Sequence, residues 1–308
     1  MSKRVLITGG AGFIGSHLVR SFVGNAEVTV LDDLRSGYES NLDGIPCRFV
    51  RGSILDTKTL SLAAEGADEI YHLAAMISVP ESVAKPAECA ELNTEGTRRV
   101  LEAALVAGAR KVVLASSAAI YGDNPTVPKV ESMTPEPKSP YAETKLAGEI
   151  LLERYRMAHG LGTTSLRFFN VFGPRQDPRS AYAAAVPIFI AKALRDEPIG
   201  IHGDGGQTRD FIHVTDIVGA LAYAGASEQM AGTYNVGYGK SRTILELAQE
   251  IIDLTRSRSR IEHLPARAGD VRHSLASTER LMAAGWKPRS SVSAGLAETV
   301  EHFRRLRA

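Results

Sequence analysis

The residues Val5–Thr8 form a compact apolar run that opens straight into Gly9-Gly10-Ala11-Gly12-Phe13-Ile14-Gly15, and helical spacing follows at once. A strand, a glycine-rich turn and a helix in that order constrain this chain more than any other feature. Glycine lets the backbone turn tightly and come close to a ligand, and the helix behind it starts with N–H groups that no carbonyl receives. Those groups, with the positive end of the helix dipole, favour a pyrophosphate. Gly10-Ala11-Gly12-Phe13-Ile14-Gly15 also fits GxGxxG, and its strand–helix context separates a dinucleotide fingerprint from coincidence. Asp32 ends a second extended run, 17 residues beyond Gly15. Its carboxylate is placed to accept a hydrogen bond from a ribose 2′-hydroxyl and would repel a 2′-phosphate, so NAD is expected over NADP. Arg35 argues the other way, because a guanidinium can pair with that phosphate; it is expected to be a solvated loop cation.

A second pattern is Tyr141-Ala142-Glu143-Thr144-Lys145, with Ser116-Ser117 upstream. On a helix, positions i and i+4 share a face, so the Lys145 ammonium can lie near the Tyr141 phenol. A phenol titrates near pH 10, and service as a base near neutrality requires lowering that by roughly 3 units, about 4 kcal/mol. A neighbouring cation favours the phenolate, and an oxidised nicotinamide would add a second. Alone, YxxxK arises by chance on surface helices. Paired with a dinucleotide fingerprint it is a strong signal.

Strand-like and helix-like segments alternate through the first half. Val5–Thr8, Glu27–Leu31, Ile70–Leu73, Lys111–Ala115 and Thr164–Phe168 read as strands; Phe13–Phe22, Asn93–Ala107 and Ala142–Ala158 read as helices. This alternation predicts a parallel sheet covered on both faces. Five prolines between Asn124 and Pro140 mark a long loop just before Tyr141, of the kind that often serves as a lid. After Gly173 the pattern loosens, and Gly203–Gly206 with Gly232–Gly239 predict a smaller, turn-rich lobe. Helical spacing returns at Ile244–Leu254 and Ala294–Arg304.

The 308 residues carry 36 Lys+Arg against 35 Asp+Glu, a formal net charge of +1, so no bulk field draws the chain to nucleic acid or membrane. Cys47 and Cys89 are too few for a disulfide framework and have no partners at metal-ligand spacing, so no metal is expected. The run after Met1 is too short for a signal-peptide core, and no later segment is long and apolar enough to span a bilayer. A soluble, cytoplasmic protein is expected.

Together these motifs resemble the extended short-chain dehydrogenase/reductase family, in particular its nucleotide-sugar 4-epimerases of the UDP-glucose/UDP-N-acetylglucosamine type. The likeness runs along nearly the whole chain, through Thr8–Gly15, Leu31–Leu34, His72–Ala75, Asn93–Thr97, Ser116–Gly122, Ser139–Lys145, Arg167–Gln176, Gly203–Asp216, Tyr234–Gly237 and Arg267–Asp270. It implies an α/β architecture: a doubly wound parallel (Rossmann) sheet over residues 1–170, rejoined by the chain around 207–240, and a smaller α/β nucleotide-sugar-binding lobe over 171–308. By position, Tyr141 would be the general base, Lys145 would bind the nicotinamide ribose and tune Tyr141, and Ser117 would hydrogen-bond the sugar O4. NAD would be held by Gly9, Gly12, Phe13, Ile14, Gly15, Asp32, Ser53, Ile54, Leu73, Ala74, Ala75 and Asn93, together with Tyr141 and Lys145. The base takes the O4 proton as hydride leaves C4 for NAD; the keto sugar turns over and takes the hydride back on its other face.

The resemblance also places the substrate. Asn170, Arg209, Arg267 and Asp270 would meet the diphosphate and uridine, and arginine suits a diphosphate because its planar fork donates two hydrogen bonds at once. His202 would stack on uracil, or be a loop histidine in water. His72 and His213 read as strand-end hydrogen-bonders, and Tyr121 as packing beside the site. Ser274 stands where many enzymes restricted to UDP-glucose and UDP-galactose carry a bulky tyrosine, so it would leave room for a 2-acetamido group, or else face away and signal nothing. The segment Arg175–Tyr182 resembles that of epimerases acting on N-acetylated hexosamines. Related dehydratases and decarboxylases carry acidic residues after the serine, whereas this chain has Ala118 and Ala119, and a methyl group donates no proton.

Two departures bear on the cofactor. Ser53 replaces an aspartate that reaches the adenine, and Ile77 replaces a lysine near the phosphates, which predicts weaker retention of NAD. A homodimer through the helices bearing Tyr141 and following Asn93 is implied. The rival readings are a UDP-glucuronate 4-epimerase and a non-catalytic NAD-sensing protein; the latter expects Ser117, Tyr141 or Lys145 to be missing.

Overall fold

The computed structural model describes residues 2–178, 184–266 and 271–306. Twelve strands lie among them: β1 Arg4–Thr8, β2 Glu27–Asp32, β3 Arg48–Arg51, β4 Glu69–His72, β5 Lys111–Ser117, β6 Gly162–Phe168, β7 Asn170–Phe172, β8 Ile199–His202, β9 Thr208–His213, β10 Gly232–Val236, β11 Ser241–Thr243 and β12 Ile261–Leu264. The helices are α1 Phe13–Ser21, α2 Thr57–Ala64, α3 Val79–Ala84, α4 Pro86–Ala90, α5 Gly96–Ala107, α6 Pro140–His159, α7 Ala185–Ala193, α8 Val214–Ala226, α9 Ile244–Thr255, α10 Glu279–Ala283 and α11 Val292–Arg305.

Seven strands make one sheet in the order β10-β6-β5-β4-β1-β2-β3, every neighbour parallel. Its central strands β1, β2, β4 and β5 bury apolar residues on both faces, as a sheet covered twice requires. Val5 and Ile7 of β1 enter one core with Val28, Val30, Val113 and Ala115, while Leu6 points the other way with Leu31, Ile70, Val112 and Leu114. α1 and α8 cover the first face; α2, α5 and α6 cover the second. The chain runs outward from β1 to β3, then crosses back to β4 on the far side of β1. In such sheets ligands bind beyond the carboxyl ends of the strands where the order reverses, here between β1 and β4.

α8 escaped the sequence reading because it has no polar face. Ile217, Ala220, Leu221 and Ala224 are fully buried, and a Cβ on Gly225 would strike the Tyr71 hydroxyl at 1.9 Å. Helices buried on several sides lose the 3.6-residue alternation. α7 is likewise apolar on most sides. The region after Gly173 is therefore not turn-rich throughout, although Gly203, Gly205 and Gly239 do take left-handed turns. Past β10, which pairs with β6, lies a separate core of α7, α9, α11, β8 and β9.

The proline-rich loop is tied down. Lys129 N–H donates to the Leu275 carbonyl at 2.7 Å and its own carbonyl receives Ser277 N–H at 2.8 Å. Glu136 N–H reaches Ile120 O at 2.9 Å, and Glu131 accepts Asn235 N–H at 2.7 Å. These contacts fasten the loop at Lys129, Glu131 and Glu136 to the segment around Leu275–Ser277, to β10 and to the turn after β5. Among the described residues no helix is long and apolar enough to cross a membrane, and no cluster of His, Cys, Asp or Glu is placed to hold a metal ion.

Candidate active site

The turn after β1 fills the reversal point. Gly9 sits at φ +73° against the chain leaving β4, where a Cβ would lie 2.7 Å from Ala74 N, and a Cβ on Gly15 would lie 2.1 Å from Gly9 O. Side chains here would both break the turn and fill the space above α1's free N–H groups. Asp32 closes β2 beside it: its carboxylate accepts Ala11 N–H at 2.9 Å and Leu34 N–H at 2.8 Å. Burial pushes its pKa up, and those two donors pull it back. Leu73, Ala74 and Ala75, half-buried, form the opposite wall.

That wall is held by a chain of hydrogen bonds whose direction can be worked out. Thr97 Oγ1 donates to Asn93 O at 2.5 Å, so it must accept from His72 Nε2 at 3.0 Å. His72 Nδ1 then receives Thr8 Oγ1–H at 2.8 Å, and Thr8 Oγ1 accepts Ala74 N–H at 3.3 Å. Burial first, and the Lys145 charge second, hold His72 neutral with its pKa down at about 3. His72 is thus a strand-end hydrogen-bonder as expected. His213 is buried against Phe172, and its Nε2 has no hydrogen-bond partner among the described residues, with Glu298 at 3.9 Å.

Tyr141 and Lys145 lie on the first turns of α6. Ser139 caps that helix, its Oγ accepting Ala142 N–H at 3.2 Å, with Pro140 at the first helical position. Ser82 Oγ takes the Tyr141 N–H at 3.1 Å, so the sequence signal Ser78-Val79-Pro80-Glu81, a helix start, leads to a residue that places Tyr141. Lys145 Nζ donates to Ala115 O at 2.9 Å and stands 5.7 Å from the centre of the Tyr141 ring. Ser117, at the end of β5, is within reach of the Tyr141 phenol. Burial raises the phenol pKa and the Ser117 hydroxyl opposes it; burial lowers Lys145 to about 8.

Below them lies a buried polar network that the sequence reading missed. Glu149, one turn past Lys145 on the same face, accepts Ser116 Oγ–H at 2.6 Å and both Arg167 Nε–H and Nη2–H at 2.9 and 2.7 Å. Arg167 also donates to Tyr121 Oη at 2.9 Å, and Tyr121 donates to Asn235 at 2.7 Å. Extending the i, i+4 spacing to i+8 would have found Glu149.

Other sequence-predicted residues fall less simply. Asn93 is buried in a π-helical turn, its amide bonded to Met76 N at 2.7 Å, Met76 O at 3.0 Å and Thr144 Oγ1 at 3.0 Å, so it ties the β4 wall to the Lys145 helix. Ser53 Oγ accepts Leu55 N–H at 3.2 Å, and Ile54 is buried in the core beneath. Arg35 is not a solvated cation but pairs with Glu81 and Glu88. Phe13 and Ile14 open α1. In the second lobe, Asn170 is exposed at the start of β7, Arg209 is half-buried on β9, and His202 ends β8 with Nδ1 2.9 Å from Pro265 O. Ser274 N–H donates to Thr208 O at 3.2 Å, which sets it beside Arg209. Arg267 and Asp270 lie outside the described residues, as does the end of Arg175–Tyr182.

Residues 5–237 match the sequence model of the NAD-dependent epimerase/dehydratase family. The chain belongs to that family. It is 41% identical to the UDP-glucose 4-epimerase of Mycolicibacterium smegmatis, over 98% of both chains. It is also 36% identical to a UDP-N-acetyl-alpha-D-glucosaminuronate decarboxylase of Bacillus cytotoxicus, over 99% of both. The UDP-N-acetylglucosamine 4-epimerase of Methanobrevibacter ruminantium M1, solved in complex with UDP-N-acetylmuramic acid, superposes with a TM-score of 0.95 at 38% identity, covering 99% of each chain. NAD is the family's cofactor, and the glycine turn, the α1 N-terminus and Asp32 fit it. Since epimerases and a decarboxylase are both this similar, likeness alone leaves the reaction to the site residues.

Proposed function

We propose that the chain is an NAD-dependent 4-epimerase of UDP-hexoses, taking UDP-glucose and UDP-galactose and also their 2-acetamido counterparts. The observation that carries this is the meeting of Ser117, Tyr141 and Lys145 at the mouth of β5, followed by Ala118 and Ala119 in place of any acid. When bound, NAD supplies the acceptor and then the donor of hydride at sugar C4. Tyr141 takes the O4 proton and returns it; Ser117 holds O4; Lys145 keeps a positive charge beside the phenol and lowers the barrier to its ionisation. Neither Ala118 nor Ala119 can protonate a leaving hydroxyl, which argues against dehydration and decarboxylation.

Asn170, His202, Arg209, Arg267, Asp270 and Ser274 are proposed to read the UDP-sugar. We propose also that two copies pair through α5 and α6. Val100, Leu101 and Ala104 are buried within the chain itself, but Val106, Met157 and Ile150 are 87, 72 and 46% exposed on the outer face of these helices. Sedimentation equilibrium at monomer mass would refute the pairing.

The activity test is incubation of purified protein with UDP-galactose and UDP-GalNAc separately, with and without added NAD, following the 4-epimers by chromatography. Conversion of both supports the full reading, and dependence on added NAD reports the weaker hold expected from Ser53 and Ile77. Conversion of neither moves the reading to UDP-glucuronate.

A further inference from the structure

The rim of the cofactor cleft carries a contact with no part in the chemistry above. Arg35 rises from the turn after β2 and reaches Glu81 on α3 at 2.8 Å and Glu88 on α4 at 2.5 Å. Lys85 Nζ lies 3.5 Å from the other Glu88 oxygen. β1 stands between β2 and β4 in the sheet, so this bridge runs from one side of the glycine turn to the other. It begins three residues beyond Asp32.

At the end of β2 the choice between dinucleotides is a choice of available charge. A carboxylate takes a ribose 2′-hydroxyl, and a guanidinium takes a 2′-phosphate. This chain has both within four residues, and the structure resolves the conflict by withdrawing one. Two separate Arg35 nitrogens are engaged by two carboxylates, while Asp32 stays on the cleft wall, held by Ala11 and Leu34. We propose that Glu81 and Glu88 are specificity-determining residues for the cofactor: by clasping Arg35 they deny a 2′-phosphate its cation and leave Asp32 to select the unphosphorylated dinucleotide. This presupposes that the cleft holds NAD, as read above. The clasp is half-exposed, so salt weakens it and with it the selectivity.

The test compares the natural protein, Glu81→Gln/Glu88→Gln, and Arg35→Ala/Glu81→Gln/Glu88→Gln. Each is equilibrated with equal NAD and NADP until labelled NAD has exchanged, freed of unbound nucleotide and denatured, and the released nucleotides are quantified. The natural protein is expected to release NAD with little NADP. The double variant should raise the NADP:NAD ratio at least tenfold, the triple variant should return it to the natural value, and Glu81→Gln alone should give a smaller rise. An unchanged ratio in the double variant overturns the proposal. So does a rise that survives loss of Arg35, which would be bulk charge. Release of neither nucleotide by the natural protein would instead strike the reading of the cleft itself.

Discussion

Lys145 stands one helical turn past Tyr141 with its ammonium 5.7 Å from the centre of the phenol ring, and the two are driven by burial toward opposite proton inventories. The phenol is pushed up and the ammonium down to about 8, so burial disfavours the charged form of each, although Lys145 still carries its proton at pH 7. A base at Tyr141 needs the phenolate beside that ammonium. If Tyr141 is the base, Tyr141→Phe should lower kcat by at least about a thousandfold, near the upper end of what a positioned base contributes. Lys145→Met should lower kcat by roughly a hundredfold and move the ionisation seen in kcat/KM upward by about one pH unit or more. A pH–rate profile from 6 to 10 distinguishes a tuning lysine from one that only packs.

The same lysine predicts a stability effect of the opposite sign. Its folded-state pKa is about 8 against an ordinary 10.5, so below pH 8 folding must hold an ammonium in a site that disfavours it. That penalty is fully present below the folded pKa and fades as pH rises through the unfolded value. Lys145→Met should therefore stabilise the cofactor-free protein at pH 7, by up to about 3 kcal/mol, with the gain shrinking toward zero above pH 10. Urea unfolding of both proteins at pH 7 and pH 10 checks this. An equal difference at the two pH values would mean that packing alone sets it.

Much of this site could be read from the sequence because its chemistry is local. The glycine turn, Asp32 and the Tyr141–Lys145 spacing each lie within one strand–turn–helix unit, where short-range rules apply. What stayed hidden depends on elements distant in the chain. Glu149 meets Arg167 only because α6 crosses the sheet above β6, and Arg35 meets Glu88 only because the order reverses at β1. α8 was missed for a different reason: burial on several sides removed the alternation that marks a helix.

Glu149 and Arg167 share a site that is almost closed to water, and each is the other's counter-charge. Burial works against the guanidinium, yet Glu149 holds its pKa above the ordinary value. Removing either partner strands the other, which costs about 3–5 kcal/mol for a buried pair. Glu149→Gln and Arg167→Met should each destabilise by that amount, and the double variant by clearly less than the sum of the two. A double-mutant cycle in urea measures the coupling; additivity would show that the two do not depend on each other.

Ser274 carries the substrate prediction. Its backbone N–H is fixed to Thr208 O, in the strand that bears Arg209, and its side chain is small and half-buried. If that space receives a 2-acetamido group, Ser274→Tyr should fill it while a 2-hydroxyl still fits. Forcing extra bulk into an occupied pocket costs about 1–3 kcal/mol, a loss of roughly 10- to 200-fold. Turnover of UDP-GalNAc, as kcat/KM, should fall by that factor, and turnover of UDP-galactose should stay within about threefold. Equal losses on both sugars would mean that the tyrosine disturbs the lobe as a whole. No loss on either would show that Ser274 faces away from C2, and the acetamido group would then have to be accommodated elsewhere.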